Sequence, residues 1–93
     1  MTDRLQNKPI TRKKDGSGST SDHFLVLHND NINTFDFVIE SLIEVCDHTS
    51  EQAEQSAMIT HYKGQCDIKK GKKKILSEMQ TRLVEKGLKA SIE

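Results

Sequence analysis

From position 24 onward the apolar residues of this chain alternate between two rhythms, one suited to strands and one close to the helical repeat. Phe24-Leu25-Val26-Leu27 is an unbroken apolar run, the pattern of a short strand buried on both faces. It stops at His28-Asn29-Asp30-Asn31-Ile32-Asn33, where Asn and Asp side chains favour turns by bonding nearby backbone. Asn33 or Thr34 then stands where a helix cap belongs, with Asp36 in the first turn. Phe35, Val38, Ile39, Leu42, Val45 and Cys46 recur at helical spacing behind it. A second helix start follows at Thr49-Ser50-Glu51-Gln52, where Thr49 and Gln52 have capping-box spacing. Ala53, Ala57, Met58 and His61 carry this helix on, and Gly64 is placed to end it. Gln65-Cys66-Asp67-Ile68-Lys69 alternates polar and apolar like a strand with one wet face, and a turn is expected around Gly71. Ile75, Leu76, Met79, Leu83 and Val84 mark a third helix closed by Gly87, and Leu88-Lys89-Ala90-Ser91-Ile92 reads as a closing strand.

The predicted order is β-α-α-β-α-β. It implies an α+β architecture, a three-stranded antiparallel sheet covered on one side by three helices. Residues 1–22 break the rhythm: they hold the sole proline, Pro9, and the stretch Asp15-Gly16-Ser17-Gly18-Ser19-Thr20-Ser21. With little there to fill a core, they read as a disordered, flexible tail ahead of one domain at 23–93. A chain of 93 residues has no room for a second core.

Charge narrows the function classes. Lys and Arg number 14 and Asp and Glu number 14, so the formal net charge is zero. A dedicated nucleic-acid protein carries a clear basic excess, so nucleic acid is not an expected partner. The charge is uneven, though: Lys69, Lys70, Lys72, Lys73 and Lys74 form one dense run, read as a solvated turn or helix start. No apolar run is long enough to span a bilayer, and residues 1–22 lack the apolar segment of a secretory signal. No membrane association is expected, and the location is expected to be cytoplasmic. Cys46 and Cys66 then fit reduced, buried thiols better than a disulfide.

Three chemistries compete at the polar residues. Catalysis finds no nucleophile elbow, P-loop or dinucleotide fingerprint. Cys46 or Cys66 with His61 would be a thiol–imidazole option, yet both cysteines sit at apolar positions of a helix and a strand, so an enzyme is not expected. For metal binding, His28, Cys46, His48, His61 and Cys66 offer ligands but not the paired spacing of a zinc site, so no metal or cofactor is expected. His48 suits the end of the first helix, where a cation is favoured. The third option is a binding pocket. Asn29-Asp30-Asn31 lies at a strand-to-helix junction, and His61 faces it if the first two helices pack side by side. Amide and carboxylate oxygens with a neutral imidazole nitrogen are acceptors suited to an ammonium with three N–H donors. A self-satisfied turn with a core histidine accounts for the same residues.

The stretch Leu27-His28-Asn29-Asp30-Asn31-Ile32-Asn33-Thr34-Phe35-Asp36-Phe37-Val38-Ile39 resembles the ClpS adaptor family, with its Asn-Asp-Asp turn and a helix opening in Phe-Val. The resemblance runs on through Glu51-Gln52-Ala53-Glu54-Gln55 and His61-Tyr62-Lys63-Gly64 to Leu88, with no gap between Asn29 and His61. It implies an adaptor that binds N-degrons, proteins whose first residue is Leu, Phe, Tyr or Trp, and delivers them to a Clp AAA+ unfoldase. The expected partner is the N-terminal domain of a ClpA- or ClpC-type unfoldase, which spends the ATP, and a monomer suits the role. The α-amino group would fall to Asn29, Asp30, Asn31 and His61, Asp30 being the turn's first aspartate, with Asn33 beside the peptide backbone. Leu27, Phe35, Val38, Ala57, Thr60 and Leu88 would line the side-chain pocket.

This chain departs from that family in four places. Asn31 replaces the usual aspartate, which removes a charge from the ammonium site. Phe35 and Ala57 stand where methionines are common, narrowing one wall and opening another, so Ala57 is expected to leave room for β-branched first residues. Gly71-Lys72-Lys73-Lys74-Ile75-Leu76 stands where relatives carry an acidic residue and a phenylalanine near the docking surface. An imidazole that must accept a hydrogen bond is neutral, so affinity is expected to fall below about pH 6.5. The alternative is a plain interaction domain, similar in fold to the C-terminal domain of the ribosomal stalk protein, with a lost or altered pocket.

Overall fold

The computed structural model describes residues 22–93. The elements are β1 (Asp22–His28), α1 (Phe35–Cys46), α2 (Ser50–Lys63), β2 (Gln65–Lys72), α3 (Lys73–Glu85) and β3 (Lys89–Ile92). β1 is the central strand of the sheet, which runs β2-β1-β3 with both pairings antiparallel. The order and architecture are those the apolar rhythm predicts. The expected tail falls outside the described residues except at Asp22, which is already part of β1.

Each helix start has a local cause. Thr34 accepts the Phe37 N–H and opens α1, with Asp36 in the first turn. Thr49 and Gln52 close a full capping box on α2, at 3.1 and 3.0 Å. Gly64 (φ 92°) ends α2 in the left-handed region, where a side chain would be strained. The core lies between the sheet and the helices: Leu25 and Leu27 of β1 and Ile68 of β2 meet Leu42, Val45 and Cys46 of α1 and Leu76 and Leu83 of α3. Val26 is buried as well, on the opposite face of β1, as the unbroken apolar run predicts.

Three local expectations are corrected. No turn forms at Gly71. β2 continues through it to Lys72, pairing Gly71 with His23 and Lys72 with Asp22, and α3 begins at the next residue. The lysines hide the alternation, but β2 is an edge strand, where lysine is tolerated and discourages pairing with another chain. Ile75 and Val84 lie outside the apolar stripe of α3 and are half exposed, so the stripe reduces to Leu76, Met79 and Leu83. His48 does not cap α1. Asp47, in the left-handed region, ends that helix with its N–H on Leu42 O, while His48 is buried with Nε2 2.8 Å from Ile68 O. A buried imidazole bonded to a strand carbonyl anchors the α1–α2 connection to β2.

Candidate functional site

The end of β1, the start of α1 and the end of α2 converge on one cavity, which Leu88 of the α3–β3 connection also lines. Its volume is about 460 Å³, within the range of small-ligand pockets. Asn29, Asp30, Asn31, Asn33 and His61 line it together with Leu27, Phe35, Val38, Ala57, Thr60 and Leu88. The structure thus brings together all the residues expected at the binding pocket, but not Cys46, His48 or Cys66. Leu27, Ala57, Thr60 and Leu88 are almost fully buried, whereas Asn29, Asn31 and His61 are exposed. An apolar interior therefore sits beneath a polar rim. His28 also lines the cavity, with Nε2 2.7 Å from Ser91 Oγ on β3. The sequence marks His28 as a metal-ligand option, and its place between Leu27 and Asn29 is the signal for a position at the cavity.

The rim is held from two sides. The Asn29 N–H donates to Gly64 O at 2.9 Å, fastening the end of β1 to the end of α2, three residues past His61. Asp30 is the hub of the turn: Oδ1 accepts the N–H groups of Ile32 and Asn33, both at 2.9 Å, and Oδ2 accepts Asn33 Nδ2 at 3.1 Å. Burial pushes the Asp30 carboxyl up, but these hydrogen bonds and nearby Lys89 outweigh it and hold the group below the usual carboxylate range. Asn33 Nδ2 also donates to Gly87 O at 2.9 Å, across 54 positions of sequence. Both amide hydrogens of Asn33 are therefore engaged within the protein, and its side-chain oxygen remains as an acceptor. Asp30 has the same internal bias, with most of its lone pairs occupied by the turn.

Burial pushes the Cys46 thiol up to about 11 and raises that of Cys66, and neither lines the cavity that holds His61. Both are free cysteines. Among the described residues no group of three or more His, Cys, Asp or Glu side chains is placed to hold a metal ion. Within the same residues no helix is long and apolar enough to cross a membrane. The lysine run divides between the end of β2 and the first turn of α3, away from the cavity lining.

A small α+β domain thus carries an acceptor-rimmed apolar cavity at the junction of β1 and the first two helices. The chain matches the family of the ATP-dependent Clp protease adaptor protein ClpS over residues 19–91, and it belongs to that family of adaptors. Among solved structures it is similar to Agrobacterium tumefaciens ClpS2 bound to L-phenylalaninamide. The two share 20% identity and a TM-score of 0.70 over 81% of this chain and 98% of that one, a likeness of fold. No curated protein matches the chain.

Proposed function

We propose that the cavity captures the first residue of a protein, with its free α-amino group at the rim and its bulky apolar side chain inside. The domain then hands that protein to a Clp AAA+ unfoldase of ClpA or ClpC type, through the unfoldase's N-terminal domain, for degradation. The observation that carries this reading is a cavity in which exposed acceptors stand over buried apolar walls.

Asn29, Asn31 and His61 accept the three N–H donors of the ammonium, and Asn33 offers its side-chain oxygen to the peptide backbone. Apolar walls reward a large side chain at about 25 cal/mol per Å² removed from water. Blocking the amine leaves acceptors without donors, at about 1–3 kcal/mol each. L-Phenylalaninamide, the ligand of the Agrobacterium relative, carries the same pair of features, a free amine and an aromatic side chain. With Asn31 in place of an acid and Asp30 engaged by its own turn, the ammonium is held chiefly by uncharged groups. That weakens each hydrogen bond and makes binding less sensitive to salt.

The test is fluorescence anisotropy with short peptides that begin Leu, Phe, Tyr, Trp, Ile, Val or Ala, each with a free and an acetylated N-terminus. Binding of free, bulky N-termini that acetylation and His61→Ala both abolish is the expected result. Affinity indifferent to acetylation would overturn the reading and leave a general interaction domain. The Ile and Val peptides report whether Ala57 admits β-branched residues. Delivery is a separate question, read from degradation of a Phe-initiated reporter by an unfoldase–protease pair with and without the adaptor.

A further inference from the structure

The zero net charge hides a segregation of sign that the fold makes plain. Ten of the fourteen Lys and Arg residues fall in two segments: Arg4, Lys8, Arg12, Lys13 and Lys14 in residues 1–21, and Lys69, Lys70, Lys72, Lys73 and Lys74. β1 and β2 pair Asp22 with Lys72 and Phe24 with Lys70, so residues 1–21 join the fold beside the lysine cluster. The opposite sign collects on the first two helices, where the chain from Asp36 to Tyr62 holds six carboxylates and no Lys or Arg. Lys70, Lys72, Lys73 and Lys74 are exposed, and none of the five clustered lysines lines the cavity.

Protection of an edge strand accounts for the lysines of β2 but not for the two that follow. Lys73 and Lys74 occupy the first turn of α3, where the helix dipole disfavours cations. That turn holds no acid and Lys72 gives it no side-chain cap, whereas α1 and α2 open with a capping threonine and an acid in the first turn. Stability alone favours Asp or Glu at these positions. The positive sign is kept against the helix's own preference. Asp22, Asp67 and Glu78 are the acids nearest in register and sequence, too few to neutralise five lysines.

The make-up of this pole selects its partner. Protein interfaces are anchored by aromatic, Met and Arg side chains and are depleted in Lys. Of the large apolar side chains exposed among the described residues, Ile75 alone is next to the cluster in sequence; the others lie on the binding turn, α1, α2 and the last turn of α3. A lipid surface is held firmly only when an apolar or acyl anchor accompanies the charge. A phosphate backbone needs no anchor, and lysine meets it as a point charge. Its affinity follows the local field, screened over about 8 Å at physiological salt, and not the net charge of the chain.

We propose that the lysine cluster at the β2–α3 junction, extended by the basic residues of 1–21, binds the phosphate backbone of nucleic acid without reading its sequence. Lys69 to Lys74 include no arginine, asparagine or glutamine, so they supply charge and no pattern of base contacts. This site is separate from the cavity and independent of first-residue capture.

The experiment titrates the full chain into fluorescein-labelled RNA strands of about 20 nucleotides, in two unrelated sequences, and follows anisotropy as salt is raised. About five phosphate contacts on a single strand give a slope of log affinity against log salt near −3.5, so affinity should fall about a hundredfold from 50 to 200 mM KCl. The two sequences should bind within about twofold of each other. Lys70→Gln/Lys73→Gln/Lys74→Gln should reduce the slope by about two, and these positions are exposed, so the fold is not at stake. His61→Ala should bind RNA as the parent does. Absence of binding at 50 mM KCl, or a slope unchanged in the triple variant, would overturn the proposal. Equal affinity for a polyglutamate peptide, or for phosphatidylserine vesicles, would overturn it in favour of an acidic protein or a membrane.

Discussion

Replacing Asn33 with alanine separates a rim held by the fold from one that assembles around its ligand. The side chain gives one hydrogen to Asp30 Oδ2 at 3.1 Å and the other to Gly87 O at 2.9 Å. A neutral hydrogen bond contributes about 0.5–1.5 kcal/mol and one to a charged group about 1.5–3 kcal/mol. Neither is deeply buried, so water takes over part of what is lost, and a total of about 1–2 kcal/mol is expected for stability. The Asp30 bonds to the backbone N–H groups of Ile32 and Asn33 survive the change. The turn therefore stays closed but is unhooked from the α3–β3 connection that carries Leu88. Affinity for a peptide with a free N-terminal Phe should fall by on the order of tenfold, as about 1.4 kcal/mol of preorganisation is lost. Asn33→Asp should be worse than Asn33→Ala, since it removes both donors and sets a second carboxylate against Asp30. Urea unfolding and anisotropy, run on the same preparations, read the two effects. Unchanged stability would mean that the two hydrogen bonds are absent in solution. Lowered stability with affinity within twofold of the parent would mean that the rim does not depend on this clamp.

Three further outcomes follow from single groups. Burial holds the His48 imidazole below its ordinary value, against the opposing pull of the Ile68 carbonyl and with help from Lys69, so the unfolded chain takes up the proton first. Stability from this group is complete above about pH 6.5 and is lost as pH falls from there through the lower folded value. Urea midpoints should decline from pH 7 to pH 5 and flatten in His48→Gln; parallel profiles would refute the assignment. Cys46, with its thiol pushed up to about 11 and no exposed surface, should resist iodoacetamide at pH 8 in buffer and react in urea. Alkylation of the native protein at the rate of the unfolded chain would contradict that burial. Thr49→Ala removes the hydroxyl that accepts the Gln52 N–H and should cost about 1 kcal/mol in urea unfolding, whereas no measurable loss would mean that the capping box contributes nothing.

The sequence alone determined the order of elements, because strand and helix rhythms and their caps are local: Thr49 and Gln52 announce α2 from three positions apart, and Phe24 to Leu27 announce a strand enclosed on both faces. The candidate site residues were legible through family resemblance, while their chemistry by itself favoured a self-satisfied turn and a core histidine. Tertiary structure decided everything that depends on a partner far along the chain. Lys70 and Lys72 belong to a strand because β1 lies beside them, and no local pattern of lysines says so. His48 finds Ile68, His28 finds Ser91, and Asn33 finds Gly87 across 54 positions. Ile75 and Val84 keep helical spacing yet face outward, because a helix against one side of a sheet has a narrower buried stripe than its apolar residues suggest. A cavity is the clearest case of all. Its walls come from two helices, a strand and a distant turn, so its existence is set by how close those elements are held, a distance that no single segment encodes.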